Sequence, residues 1–204
     1  MQDLISYKAV ITREQFLFYE MRVVAKLLKK GMTDKEIIER VYEENLFQYP
    51  TERMINNIVR VCLARFKTID SEVLVSIVAD GDSRSAKQVC LYSMIKHYRI
   101  VYDFMVTVIG QKYKTKDFYY SKVDMNVFFT RLQEQVKEVS EWRESTVKKI
   151  KQVLTKLLVE NGYLESTKST ELLPVLIDFD LKNICRERNE YDILGAFNFF
   201  NYEG

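Results

Sequence analysis

The sequence predicts a mainly α-helical protein, a multi-helix bundle with helix-turn-helix-like parts and a C-terminal winged-helix-like subdomain carrying a small β-ribbon. Two observations carry the helical reading. Gly (6) and Pro (2) are scarce in 204 residues, and sandwiches or barrels need them at their many turns. Long stretches also repeat apolar residues at intervals of three and four, the period of an amphipathic helix. A third observation points to the ribbon: Gly162 stops a helix, and the apolar run Leu172 to Ile177 follows, with Pro174 favouring a sheet edge.

The elements follow in order. Residues 1–12 read as an irregular or weakly helical lead-in. Thr12 can cap a helix to about Lys30 with Phe16, Leu17, Met21, Val24, Leu27 and Leu28 inward, and Gly31 ends it. Thr33-Asp34-Lys35-Glu36 is a capping-box pattern and opens a second helix to about Glu44. Pro50 and Thr51 announce a third, over 52–67, with Met54, Ile55, Ile58, Val59, Val61 and Cys62 inward. Asp70 starts a short helix to Ala79, and Asp80-Gly81-Asp82-Ser83 is a turn with an N-cap. The longest helical pattern runs from Ser83 to Tyr113, and another from Lys122 to Val136 with Val127, Phe128 and Leu132 inward. Ser145 or Thr146 can cap the helix that ends at Gly162. Asp178 to Arg188 reads as a short helix and Tyr191 to Phe199 as a last strand. These group into 1–115, a helical subdomain with a helix-turn-helix-like segment (33–67) and a long central helix (83–113), and 116–204, the winged-helix-like subdomain. The 33–67 segment reads equally as an ordinary helical hairpin.

Net charge is only +2, but the charge is segregated. From Arg84 to Lys116 there are seven Lys/Arg and one acid; from Arg53 to Lys67, four and none; from Arg143 to Lys156, five and one. Thr33 to Glu52 holds six acids and two bases. Such segregation suggests a positive and a negative face.

The segment after Trp142 is the sharpest case. At 100° per residue, Val147, Ile150, Val153, Leu154, Leu157 and Leu158 share one sector of a helix, while Lys148, Lys149, Lys151, Gln152, Thr155 and Lys156 share the other. With Arg143 before them, the lysines suit phosphates, and Gln152 and Thr155 suit base edges or sugars. Arg53, Asn57 and Arg60 form a similar face on the third helix.

Catalytic constellations are absent. No GxSxG, GxxxxGK[ST] or GxGxxG occurs. The one histidine, His97, lies in a helical pattern beside Lys96 and near Arg99 and reads as structural or surface-exposed rather than catalytic. Asp103 follows Arg99 by four residues, the spacing of an intrahelical ion pair. Cys62, Cys90 and Cys185 are too far apart for a zinc motif and read as reduced, buried thiols. Asp80 and Asp82 around one glycine do not make a calcium loop. No secretory leader or bilayer-length apolar run is evident, so a cytoplasmic, non-enzymatic protein is expected, without cofactor, metal, small-molecule substrate or membrane partner.

Two blocks carry a resemblance. One is Ile77-Val78-Ala79-Asp80-Gly81-Asp82 followed by Ser93-Met94-Ile95-Lys96-His97-Tyr98-Arg99-Ile100-Val101-Tyr102-Asp103-Phe104-Met105. The other is Trp142-Arg143-Glu144-Ser145-Thr146 through Gly162-Tyr163-Leu164-Glu165-Ser166, then Leu172 to Ile177. Together they resemble the BrxA family of bacteriophage-exclusion (BREX) defence systems. The resemblance implies a helical protein that binds double-stranded DNA within a multi-protein system, with other BREX proteins as partners and no catalytic motif of its own. The alternative function is a protein adaptor in the same assembly, its basic faces on an acidic partner. A nuclease or transferase accessory with a hidden carboxylate site is the remaining alternative.

Overall fold

The structure, a computed structural model describing residues 7–200, divides into two compact units. Unit 2 is the continuous stretch Phe16–His97; unit 1 combines Met1–Gln15 with Tyr98–Gly204. The division therefore falls at His97, inside the helical stretch read from 83 to 113, and not at residue 115.

Unit 2 is built from α1 (Phe18–Lys29), α2 (Asp34–Glu43), α3 (Glu52–Ile69), α4 (Glu72–Asp80) and α5 (Ser83–His97). α1 starts later than its pattern suggests because the Thr12 hydroxyl donates to Ala9 O at 2.8 Å, closing a 3-10 turn (Ala9–Thr12) instead of capping a helix. It ends in a Schellman motif: Gly31, at φ 77°, donates to Leu28 O and Met32 to Leu27 O. The capping box of α2 forms, with the Thr33 amide on Glu36 Oε2 at 2.7 Å and the Glu36 amide on Thr33 Oγ1 at 3.4 Å. α4 is capped by Ser71, since Asp70 takes a left-handed conformation that ends α3.

α5, buried from Ser85 to Ile95 except at Lys87, packs against α3 and α4, whose buried residues include Val59, Cys62 and Phe66, and Leu74 and Val78. Met54, expected inward, is 44% exposed. Arg65 is fully buried, and its Nη1 donates to Phe16 O at 3.1 Å.

Unit 1 takes α6 (Arg99–Phe104), a π-helical turn (Met105–Gly110), α7 (Gln111–Lys114), α8 (Lys122–Gln135), α9 (Lys137–Ser140), α10 (Glu144–Glu160), α11 (Phe179–Glu187) and α12 (Tyr191–Ala196). The long pattern is thus not one helix: Tyr98 turns extended at φ −118°, ψ 115°, where the chain passes from one unit to the other. Gly110 lets α12 approach closely, for a Cβ there would lie 3.3 Å from Ala196 N and from Gly195 C. Ile11 of the 3-10 turn is fully buried against α10.

The expected ribbon is reduced to one antiparallel bridge, Tyr119 with Glu171, flanked by Tyr120 N to Thr170 O and Leu172 N to Phe118 O, both 2.8 Å. Among the described residues there is no strand. Pairing stops after Leu173, whose amide turns to Tyr163 O, and Pro174 offers no donor. The stretch read as a last strand, 191–199, begins as helix α12; Ile193, Leu194, Ala196 and Phe197 are all buried, and a short apolar run reads as either element. Val127 of α8, expected inward, is 42% exposed.

Candidate nucleic-acid interface

α10 places the six apolar residues of its predicted sector in the core of unit 1; each is at most 7% exposed. Its N-cap is Arg143 rather than Ser145 or Thr146, so the helix gains its first turn and both hydroxyls stand on it. Its end is a second Schellman motif, with Gly162 at φ 74° donating to Val159 O and Tyr163 to Leu158 O. Tyr163 is then fully buried, its hydroxyl donating to Ala196 O at 3.0 Å, which anchors the helix end.

The polar sector divides. Arg143, Lys148, Lys149, Gln152 and Lys156 are exposed, and among the described residues none of their side chains has a hydrogen bond or ion pair. Lys151 and Thr155 are half-buried. Lys151 Nζ donates to Asn126 Oδ1 at 2.8 Å and lies 5.1 Å from the Phe129 ring, so it is packed against α8. Thr155 Oγ1 donates to Lys151 O at 2.9 Å, and its hydroxyl also meets Tyr120. The free face thus centres on Lys148, Gln152, Lys156 and Lys149. Lys149 opens onto a cleft of about 400 Å³ lined by Val10, Arg13, Ser145 and Thr146. Arg13, exposed at the end of the 3-10 turn, extends the positive face; nothing in its local pattern marks it, because only tertiary packing brings it to α10.

On α3, Arg53, Asn57 and Arg60 form one exposed row. That row shares its helix with exposed Glu52, and α3 packs on α2, which exposes Glu36, Glu39 and Glu43. Lys67 is occupied by Asp34.

The chemistry-bearing residues elsewhere are engaged. Arg99 Nε lies 3.0 Å from Asp103 Oδ2, the intrahelical pair, and Tyr7 also donates to that carboxylate. These residues border a 570 Å³ groove in unit 1, beside Lys112. Lys112 is nearly buried and holds Asp117 (2.8 Å), Asp124 (2.9 Å) and Tyr119 O (2.6 Å). Burial pulls its ammonium down, but the bonds to the two carboxylates outweigh that and leave it raised. His97 Nδ1 meets Thr68 Oγ1 at 2.9 Å; burial first, and the Arg65 charge second, push its ring down to about 4. The ring is therefore neutral near pH 7, with no bias toward proton transfer there.

Asp82 caps α5 by accepting from the amides of Arg84 and Ser85, and Asp80 pairs with Lys29. The three cysteines are buried free thiols, and burial pushes Cys90 up to about 12. Among the described residues no group of His, Cys, Asp and Glu is placed to hold a metal, and no helix is long and apolar enough to cross a membrane.

The chain is 35% identical over 176 residues to the BREX protein BrxA of Bacillus cereus, covering 86% of this chain and 88% of that one. It is 26% identical over 190 residues to the BREX protein BrxA of Paramagnetospirillum magneticum, covering 92% and 94%. A crystal structure of an uncharacterized protein from Magnetospirillum magneticum has the same fold, with a TM-score of 0.77 at 24% identity over 94% of this chain and 97% of that one. Residues 5–189 match the BrxA family model, and with the first relative this establishes that the chain belongs to the BrxA family.

Proposed function

We propose that the protein is a non-enzymatic, double-stranded DNA-binding component of a BREX phage-defence system. The observation that carries this is the outer face of α10, where Lys148, Lys149 and Lys156 stand exposed without carboxylate partners around the amide of Gln152, with Arg143 exposed at the start of the helix. The helix is braced behind by its apolar sector and at its end by Tyr163, so the cations are held on a rigid element. The cations position phosphates, while Gln152 is the group able to read a base edge. Lys151 and Thr155 serve chiefly as packing that orients the face. The bridge at Tyr119 and Glu171 serves as the rudiment of a wing. On α3, the acids nearby reduce the part played by Arg53, Asn57 and Arg60.

Four phosphate contacts give a log–log salt slope of about −3.6, so affinity falls roughly 100-fold between 50 and 200 mM salt. Fluorescence anisotropy with a labelled duplex tests this. Lys148→Glu/Lys149→Glu/Lys156→Glu should abolish binding at low salt, and a folded triple variant that binds like the parent removes α10 from the interface.

A second reading, an adaptor for another BREX protein, is favoured by Phe118, Tyr119, Val123 and Val127, which are 42–66% exposed on the α8 side of unit 1. Recovery of a partner from nuclease-treated extract, lost in Val123→Glu/Val127→Glu, supports that reading; recovery that disappears with nuclease counts against it.

A further inference from the structure

Unit 2 carries a positive surface away from the α3 row. Arg22, Lys26 and Lys29 recur at four- and three-residue spacing along α1 and form one stripe, which Lys30 extends. The turn between α4 and α5 lies against it: Arg22 Nη2 donates to Gly81 O at 2.6 Å, and Lys29 Nζ is 2.5 Å from Asp80 Oδ2. Arg84, exposed in the first turn of α5, follows that turn directly, and α5 contacts α1. Lys87 follows one turn later, its ammonium 5.5 Å from the Phe18 ring, which Arg22 overlies at 5.9 Å.

Two rows of cations thus flank Asp80 and Asp82. Asp82 is committed to the α5 amides, and Glu20, the one acid of α1, is held on another side by the Tyr49 hydroxyl at 2.5 Å. The bond to Lys29 holds the Asp80 carboxyl below its ordinary value, and the charges of Lys26 and Arg22 add to that. Lys26, Lys30 and Arg84 are exposed, and among the described residues their side chains have no hydrogen bond or ion pair.

We propose that this double row, Arg22, Lys26, Lys29 and Lys30 with Arg84 and Lys87, is a second DNA contact that grips backbone phosphates. It rests on the DNA-binding reading of α10 and extends that reading to the other unit. The surface is made of cations and carries no amide side chain among its charged rows, which suits positioning on the duplex rather than base readout. A phosphate polyanion is the ligand already inferred for unit 1, so one ligand class accounts for both surfaces.

The test is a salt titration of duplex binding by the full chain and two variants that each remove two positive charges, Lys26→Gln/Arg84→Gln on the double row and, as the control, Lys137→Gln/Lys168→Gln on neither binding surface. All four positions are exposed, and matched urea midpoints confirm intact folding. The double-row variant should lower the magnitude of the log–log slope by about 2, at about 0.9 per phosphate contact, while the control variant leaves it in place. An unchanged slope in the double-row variant overturns the proposal and leaves the α10 reading standing. An equal fall in both variants marks a response to net charge alone and also overturns it. Loss of a nuclease-resistant protein partner with the slope intact assigns the surface to protein and overturns it. A parent without salt-dependent binding removes the α10 reading and this proposal together.

Discussion

His97 is the only histidine in the chain, so its titration can be followed without assignment. Its ring is half-buried, bonded to Thr68, and held down to about 4 from an ordinary 6.5, by burial first and Arg65 second. The folded value lies below the unfolded one. The stability contribution is therefore complete above pH 6.5, falls as the pH drops from 6.5 toward 4, and levels off below that. Over this window the unfolded chain holds a proton that the folded chain refuses, at about 1.4 kcal/mol per pH unit, for a ceiling of about 3 kcal/mol. The ring keeps part of its surface in water, so about half of that is expected. Urea unfolding near pH 7 and near pH 4.5 reads the effect. The parent should lose about 1–2 kcal/mol more than His97→Gln, in which an amide can still meet Thr68 while no proton is taken up. Carboxylates that titrate in the same range cancel in the difference. A proton NMR midpoint at 6 or above, or equal losses in parent and variant, would refute the reasoning.

Arg65→Met should cost about 2–5 kcal/mol by urea melts, because it leaves the buried Phe16 carbonyl without this donor and opens space in the core; it should also raise the His97 midpoint. Lys112→Met should cost about 1–3 kcal/mol. The Asp124 carboxyl sits low, despite burial, because Lys112 bonds it; its stabilisation is present above the ordinary carboxylate range and lost on acidification, so the variant should show a shallower acid limb in a pH melt series. Gly110→Ala should destabilise by about 1–2 kcal/mol, since the new Cβ meets backbone of α12 rather than a movable side chain. Lys151→Gln should weaken duplex binding less than Lys148→Gln in anisotropy, because its ammonium is engaged by Asn126 and Phe129.

The helices were legible where one face is buried and the breakers are unambiguous. The α2 capping box, the α10 sector and the stops at Gly31 and Gly162 are local facts, and each appears in the fold. The failures share a cause: their outcome is decided by partners distant in sequence. Leu172 to Ile177 has the composition of a strand, but its pairing ends after a single bridge. Ile193 to Phe197 is buried on several sides, which erases the periodicity that separates helix from strand. The interface divides in the same way. Lys148, Gln152 and Lys156 were readable from a helical wheel, whereas the engagement of Lys151 depends on Asn126, twenty-five residues earlier. The α1 stripe has no signature of its own in the sequence, because cations near a helix C-terminus are ordinary partners of its dipole; only the α4–α5 turn, packed onto α1, adds the second row.

The chain path has its own consequence for how the protein comes to be. Unit 1 draws on both ends of the sequence, with residues 16–97 looped out between them. For an unstructured loop of that length, joining Tyr7 to Asp103 and Ile11 to α10 costs about 4 kcal/mol of chain entropy. If unit 2 forms first, much of that closure is complete before unit 1 assembles. Unit 2 also leaves the ribosome before α10 does. In that order the inserted helices form early, and the unit bearing the α10 face condenses last. Substitutions in the α5 core should therefore slow maturation of a surface they never touch.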